Sequence, residues 1–296
     1  MFALLWIPAT VLASAFQVAR NALQRSVMTS AGPWGATLVR FLFGLPFSVL
    51  FTVVALATTH GVSLTFTAAY WAAAATGALS QVLATAALLV AMRRAGFAVG
   101  TAMQQSSLPL AAVIGLIAYH DQLSVLAWLG VAIATAGLLV LTWPRHASGP
   151  QPISGGVFGL LSGLCFGFSL NAFRHACLAL EPHHPIVAAL TSVAIAQAMQ
   201  ALGLLVFLAL RDRNAIRAVI AGWKDSLAAG LCGAIASAGW FIALSLSPAA
   251  PVRALGVIEA PIAAVAGRKL FAERLHLTQI LAGAAVLVGV LLTTLA

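Results

Sequence analysis

The sequence predicts an all-α membrane protein with ten transmembrane helices arranged as two inverted five-helix repeats. Three observations carry this. Of 296 residues, 62% are hydrophobic and only 7% charged, with a mean hydropathy of +1.04. Ten apolar runs of spanning length fill nearly the whole chain, and its first half matches its second at an almost constant offset. A soluble domain carries about 25% charged residues and about 45–50% apolar ones. A water-soluble enzyme is therefore excluded, because too few charges remain to cover its surface. Disorder and coiled coil are excluded too, since both need many polar residues.

A spanning helix needs about 20 mostly apolar residues. The runs cover residues 3–27, 33–58, 68–91, 97–118, 124–142, 154–177, 186–210, 222–245, 249–270 and 276–295. Short gaps hold the Gly, Pro, His and charged residues, as connections do. The runs are rich in Leu, Ala and Gly and lack the alternation of membrane barrel strands. Ala13-Ser14-Ala15 imitates a signal-peptidase site, but no Lys or Arg precedes Arg20. That segment is read as a span, not a leader.

An offset of 152 places Pro109 on Pro261, Gly115 on Gly267, Asp121 on Glu273, Leu123 on Leu275, Gly137 on Gly289, Trp71 on Trp223 and Pro33 on Pro185. An offset of 150 places Phe16 on Phe166 and Asn21-Ala22 on Asn171-Ala172. The domains are thus a first five-helix repeat over 1–142, a linker over 143–153 and a second repeat over 154–296. Five is odd, so the second copy enters the membrane with the opposite orientation. Inverted repeats of this kind are characteristic of secondary transporters, whose site lies near mid-membrane. A duplicated scaffold without transport is the plainer alternative.

The formal net charge is +9, from 15 Lys and Arg against 6 Asp and Glu. Because the bases sit in gaps between apolar runs, they are read as membrane-surface charge. No basic run interleaved with aromatics is present, so no nucleic-acid partner is expected. Cys165, Cys177 and Cys232 form no CxxC pair and imply neither disulfides nor a metal. Most bases follow odd-numbered spans, among them Arg93, Arg94, Arg145, Arg211, Arg213 and Arg217. On the positive-inside rule both termini would lie outside.

The duplicated pattern is a span with a Pro, a turn with an acid, then a Gly-bearing span. It reads Leu108-Pro109, Asp121-Gln122-Leu123, Gly130 and Gly137 in the first half. In the second it reads Glu259-Ala260-Pro261, Glu273-Arg274-Leu275, Gln279, Gly283 and Gly289. Over essentially its full length the chain resembles the ten-helix, EamA-domain branch of the drug/metabolite transporter superfamily. Asp121 departs from the Glu usual in that turn. Among members the likeness is greatest to exporters of aromatic amino acids. The resemblance implies an inner-membrane, multi-pass carrier working by alternating access around a central cavity. It implies cavity walls from spans one to four and six to nine, with spans five and ten peripheral. It also implies cytoplasmic termini, against the charge rule.

Polar side chains are costly in lipid, so each one inside a span is a candidate. Ser14, Gln17, Asn21 and Gln24 recur at spacings that put them on one helix face. That face lines a wet cavity or hydrogen-bonds to neighbouring helices. Asn171 is the counterpart of Asn21. Gln81, Gln104 and Gln105 are further amides, with interhelical bonding as the plainer reading. Trp240 sits mid-span and is either a substrate-stacking wall or core, whereas Trp6, Trp71, Trp143 and Trp223 read as an interfacial belt. Glu259 is the acid nearest the middle of a span, where an isolated carboxylate should be neutral, paired or wet. It is read as a coupling-proton carrier, a contact for a substrate amine or an architectural group. Arg40 either pairs with it or holds a substrate carboxylate, unless it snorkels. Gly155, Gly159, Gly163 and Gly167 form a stripe for close helix approach or sliding. Pro109 and Pro261 are candidate kinks for gating.

No HExxH, GxSxG, GxxxxGK[ST] or GxGxxG pattern occurs, so no enzyme activity, nucleotide site or cofactor is expected. The reading is a monomeric, non-ATP-driven exporter of small metabolites, amino acids including aromatic ones, in the bacterial inner membrane. Its partners are a small-molecule substrate and the bilayer. The alternative is an intramembrane lipid-modifying enzyme.

Overall fold

The computed structural model describes residues 4–95, 103–142, 153–259, 262 and 277–294. Among these the protein is helical, without strands. The helices are α1 (Trp6–Leu42), α2 (Leu45–Thr58), α3 (Ala68–Ala95), α4 (Ser107–Tyr119), α5 (Val125–Thr142), α6 (Ile153–Leu180), α7 (Pro185–Arg211), α8 (Arg213–Ala221), α9 (Trp223–Leu246), α10 (Ala249–Gly256) and α11 (Leu277–Thr294). Five stretches are long and apolar enough to cross a membrane: Val27–Thr58, Ala68–Arg94, Gly155–Leu180, Pro185–Arg211 and Ser226–Leu246. Ser107–Tyr119 and Val125–Val140 are shorter and equally apolar. Large apolar side chains such as Leu50 and Val53 of α2 stand exposed, as they do where lipid is the solvent.

The starts of these helices follow from local chemistry. The Thr67 hydroxyl accepts from the Tyr70 N–H at 3.1 Å ahead of α3, and Ser124 accepts from Ala127 at 3.0 Å ahead of α5. Pro185 opens α7, where its missing N–H costs nothing. Within α1 the backbone breaks at Gly32, with φ +67° and ψ 179°, a conformation essentially reserved for glycine. The first two predicted runs thus meet at one glycine rather than across a loop. Gln24 Nε2 donates to Ala36 O at 2.7 Å, bridging the two arms.

The chain forms two compact units, and each draws on both halves of the sequence. One holds residues 1–82 and 172–247, the other 83–171 and 248–296. In the first unit α1 packs along α9, and α2 packs against α7. Its core includes Leu38, Phe41, Leu204, Leu208 and Val219. Val219 belongs to α8, a short helix where the sequence suggested only a loop. Asp212 caps it by accepting from Ala215 N at 3.1 Å. In the second unit α5 packs along α11. Gly289 and Gly130 meet so closely there that a Cβ on Gly289 would lie 2.6 Å from Gly130 O. Leu108, Val131, Leu138, Ala254 and Val257 form the core of this unit.

Two expectations about spans and their ends change. Trp6 is buried rather than interfacial, whereas Trp71 and Trp223 are exposed. The ninth run, 249–270, is interrupted, because α10 ends at Gly256 and a turn follows at Val257-Ile258. Trp143, Pro261 and Gly267 lie outside the described residues.

Candidate functional site

In the second unit, the residues before Pro109 make the first feature of the site. Proline has no N–H for the carbonyl four residues back, which is that of Gln105. Leu108 N turns to Gln105 O instead, at 3.0 Å, and Ser106 N bonds to Met103 O at 3.2 Å. The helix tightens into a turn at Gln105-Ser106, and α4 follows. At the matching positions of the second half, Val257 N bonds to Ala254 O and Ile258 N to Leu255 O, both at 3.1 Å. So each half carries a tightened turn in the same place, 152 residues apart.

Arg253 joins these two turns. Its guanidinium donates from Nε to Ser107 Oγ at 2.7 Å, from Nη2 to Gln105 Oε1 at 2.6 Å and from Nη1 to Glu259 Oε1 at 3.1 Å. Arg253 is 3% exposed, and Glu259 is fully buried. An ion removed from water carries a penalty of several kcal/mol, so such a group needs a carboxylate and further hydrogen bonds. Here three oxygens of different residues meet that need at the arginine fork. Behind them Gly163 of α6 seats the turn. A Cβ there would collide with Ser106 Oγ and lie 3.0 Å from Ser107 N. Gly159 receives Met103 in the same way, and Gly167 lies under Ala111. The stripe therefore seats residues 103–111. Gln104 is buried beside the site.

Asn171 closes this unit. Its Nδ2 donates to Ala111 O at 2.9 Å and to Gly167 O at 3.0 Å. This is an interhelical bond beside the glycine stripe.

The first unit has its own buried polar groups. Trp240 Nε1 donates to Gln17 Oε1 at 2.9 Å, linking α9 to α1 and joining two candidates named from the sequence. Arg20 donates to Asn21 Oδ1 from Nη2 at 2.7 Å. The Arg20 and Arg40 stems both cross Gly233, where a Cβ would sit 3.3 Å from Arg20 Cδ and 3.4 Å from Arg40 Cγ. The Arg40 guanidinium lies over the Phe41 ring, 5.0 Å from its centroid. Gln81 Oε1 accepts from Gln200 Nε2 at 2.8 Å. Ser48 Oγ donates to Gln197 Oε1 at 2.9 Å.

Comparison with known proteins adds one fact about fold. No protein family and no curated protein matches this sequence. Several solved structures share the fold, among them a crystal structure whose match covers 99% of this chain and 98% of its own. The TM-score is 0.67 and the identity 18%. The likeness is one of fold.

Sequence reasoning missed Arg20, Arg253, Gln197 and Gln200. Arg253 stands near the start of an apolar run, where a base reads as loop charge. The signal was its place six residues before Glu259, inside the same run. Gln197 and Gln200 were legible as two amides three apart on one helix face.

Proposed function

We propose that the protein is a secondary transporter of the bacterial inner membrane that exports small metabolites, amino acids including aromatic ones, by alternating access around a central cavity. On this reading the chain crosses the membrane ten times and its halves are inverted copies, as in the drug/metabolite transporter superfamily that it resembles. The observation that carries the proposal is the Arg253 guanidinium. It is buried in an apolar bundle and holds Gln105, Ser107 and Glu259 where two helices are interrupted. Intramembrane charges mark substrate or ion pathways. Transporter sites form at discontinuous helices, where freed backbone and polar side chains meet the substrate. In the first unit, the Gln17–Trp240 pair offers an amide and an aromatic face. Asn21, Asn171, Gln81, Gln104, Glu259 and Arg40 complete the candidate set, with Pro109, Pro261, Gly159 and Gly163 as the packing and gating frame.

The test is uptake of a panel of radiolabelled amino acids into liposomes containing the purified protein. Saturable counterflow is expected, with aromatic substrates among the best. The N171A and W240A variants should slow it at least tenfold while the protein stays folded. Absence of flux across the panel would overturn the reading and return the chain to the lipid-modifying alternative.

A further inference from the structure

We propose that α8 and its flanks form a docking surface for the headgroups of anionic lipids, a role beyond transport. The buried face of α8 is Ala215 and Val219, set in the core of the first unit. Its opposite face carries Arg213 and Arg217, both exposed. Arg213 Nε is anchored on Ala209 O at 2.9 Å, and Arg217 Nη1 on Asn214 Oδ1 at 3.2 Å. Neither forms an ion pair among the described residues. The neighbouring Asp212 carboxylate is occupied by the helix cap. Arg211 and Lys224 add exposed charge, the latter with its ammonium 5.8 Å from the Trp223 ring centroid. Four cations thus fall within 14 residues.

Three features single out a bilayer over a soluble acidic partner. The helix joins the end of α7 to the start of α9, two stretches long enough to span a membrane, so it lies at headgroup depth. Ile220 is 58% exposed on the same face as the arginines, and Trp223 is 51% exposed beside them. The exposed face thus mixes cations, which meet phosphates, with apolar side chains, which reach the acyl boundary. The preceding helix α7 itself exposes Val206 and Leu202, which lipid covers and an acidic soluble protein would leave bare.

Native mass spectrometry of the full chain tests this, using mixed micelles that offer phosphatidylglycerol and phosphatidylcholine in equal amounts. The wild type should retain phosphatidylglycerol preferentially. Each cation near a charged surface is worth about fivefold, so R213Q/R217Q should cut that retention by about twentyfold and leave phosphatidylcholine unchanged. R213K/R217K should keep most of it, and all three proteins should melt alike, since the substituted side chains are exposed. Equal retention of the two lipids by the wild type would overturn the proposal. So would an undiminished preference in R213Q/R217Q, or displacement of the lipid by millimolar inorganic phosphate.

Discussion

Ser107 and Glu259 occupy matching positions in the two halves of the chain, 152 residues apart, and both are bound by the guanidinium of Arg253. Each stands just past a tightened turn. One half of the chain presents a hydroxyl here and the other a carboxylate, so the two matching positions are chemically unequal. A single arginine then needs only one charge partner, with neutral oxygens meeting its other donors. Two carboxylates would leave a net negative charge in a bundle that solvates ions poorly.

That arrangement predicts strong coupling between Arg253 and Glu259. R253M removes the guanidinium and leaves a buried carboxylate behind. Breaking such a pair costs about 3–5 kcal/mol. R253M/E259M removes both charges and should recover most of that loss. Thermal unfolding of the three proteins in one detergent reads the cycle. A mild single variant, or a double variant no better than R253M, contradicts the ion-pair account.

Gly32 makes a different prediction, because its demand is conformational rather than spatial. Nothing lies within 4 Å of where its Cβ would be, yet its φ is +67° with ψ 179°. Only glycine adopts this region readily, and other residues there cost about 1–3 kcal/mol. G32A should therefore lower the melting temperature although it fits. G32N should do no better, since asparagine tolerates the left-handed helical region but not this one. Rescue by asparagine would show that the break has a different geometry.

Glu181 ties two loops of the first unit together. Its carboxylate accepts from His183 N at 2.9 Å and from Ser63 N at 3.2 Å, and His184 Nδ1 lies 3.6 Å away. The loop covers it locally, but it stands at the edge of the protein rather than in its interior. The His183 N–H, with Ser63 N–H and the His184 ring adding to it against desolvation, holds the carboxyl below its ordinary value of 4.5. A depressed carboxyl contributes stability that is present above the unfolded value and lost as pH falls through the folded one. The wild type should therefore melt above E181Q at neutral pH. That gap should close as pH falls below about 4.5. A gap that persists under acid would mean that the carboxylate charge is not what the loops require.

The sequence alone determined that this protein is helical and that its helices are long and apolar. Composition and run length settle that its apolar helices are membrane-sized, because burial in lipid depends on additive properties of each segment. The turns before Pro109 were legible too, since a missing N–H acts on a carbonyl four residues away. Gln17 and Trp240 could each be singled out as polar groups in apolar surroundings, because that cost is local.

Partnership could not be read that way. That Trp240 donates to Gln17, that Gln200 meets Gln81 and that Glu259 finds Arg253 all depend on how helices distant in sequence are packed. The same holds for the division into two units, each taking helices from both halves. It holds as well for α8, whose nine residues are too few to form a helix on their own propensity and are held by Ala215 and Val219 in the core. Hydrogen bonds and ion pairs act over about 3 Å. Only tertiary structure can bring groups from distant parts of the chain within that reach.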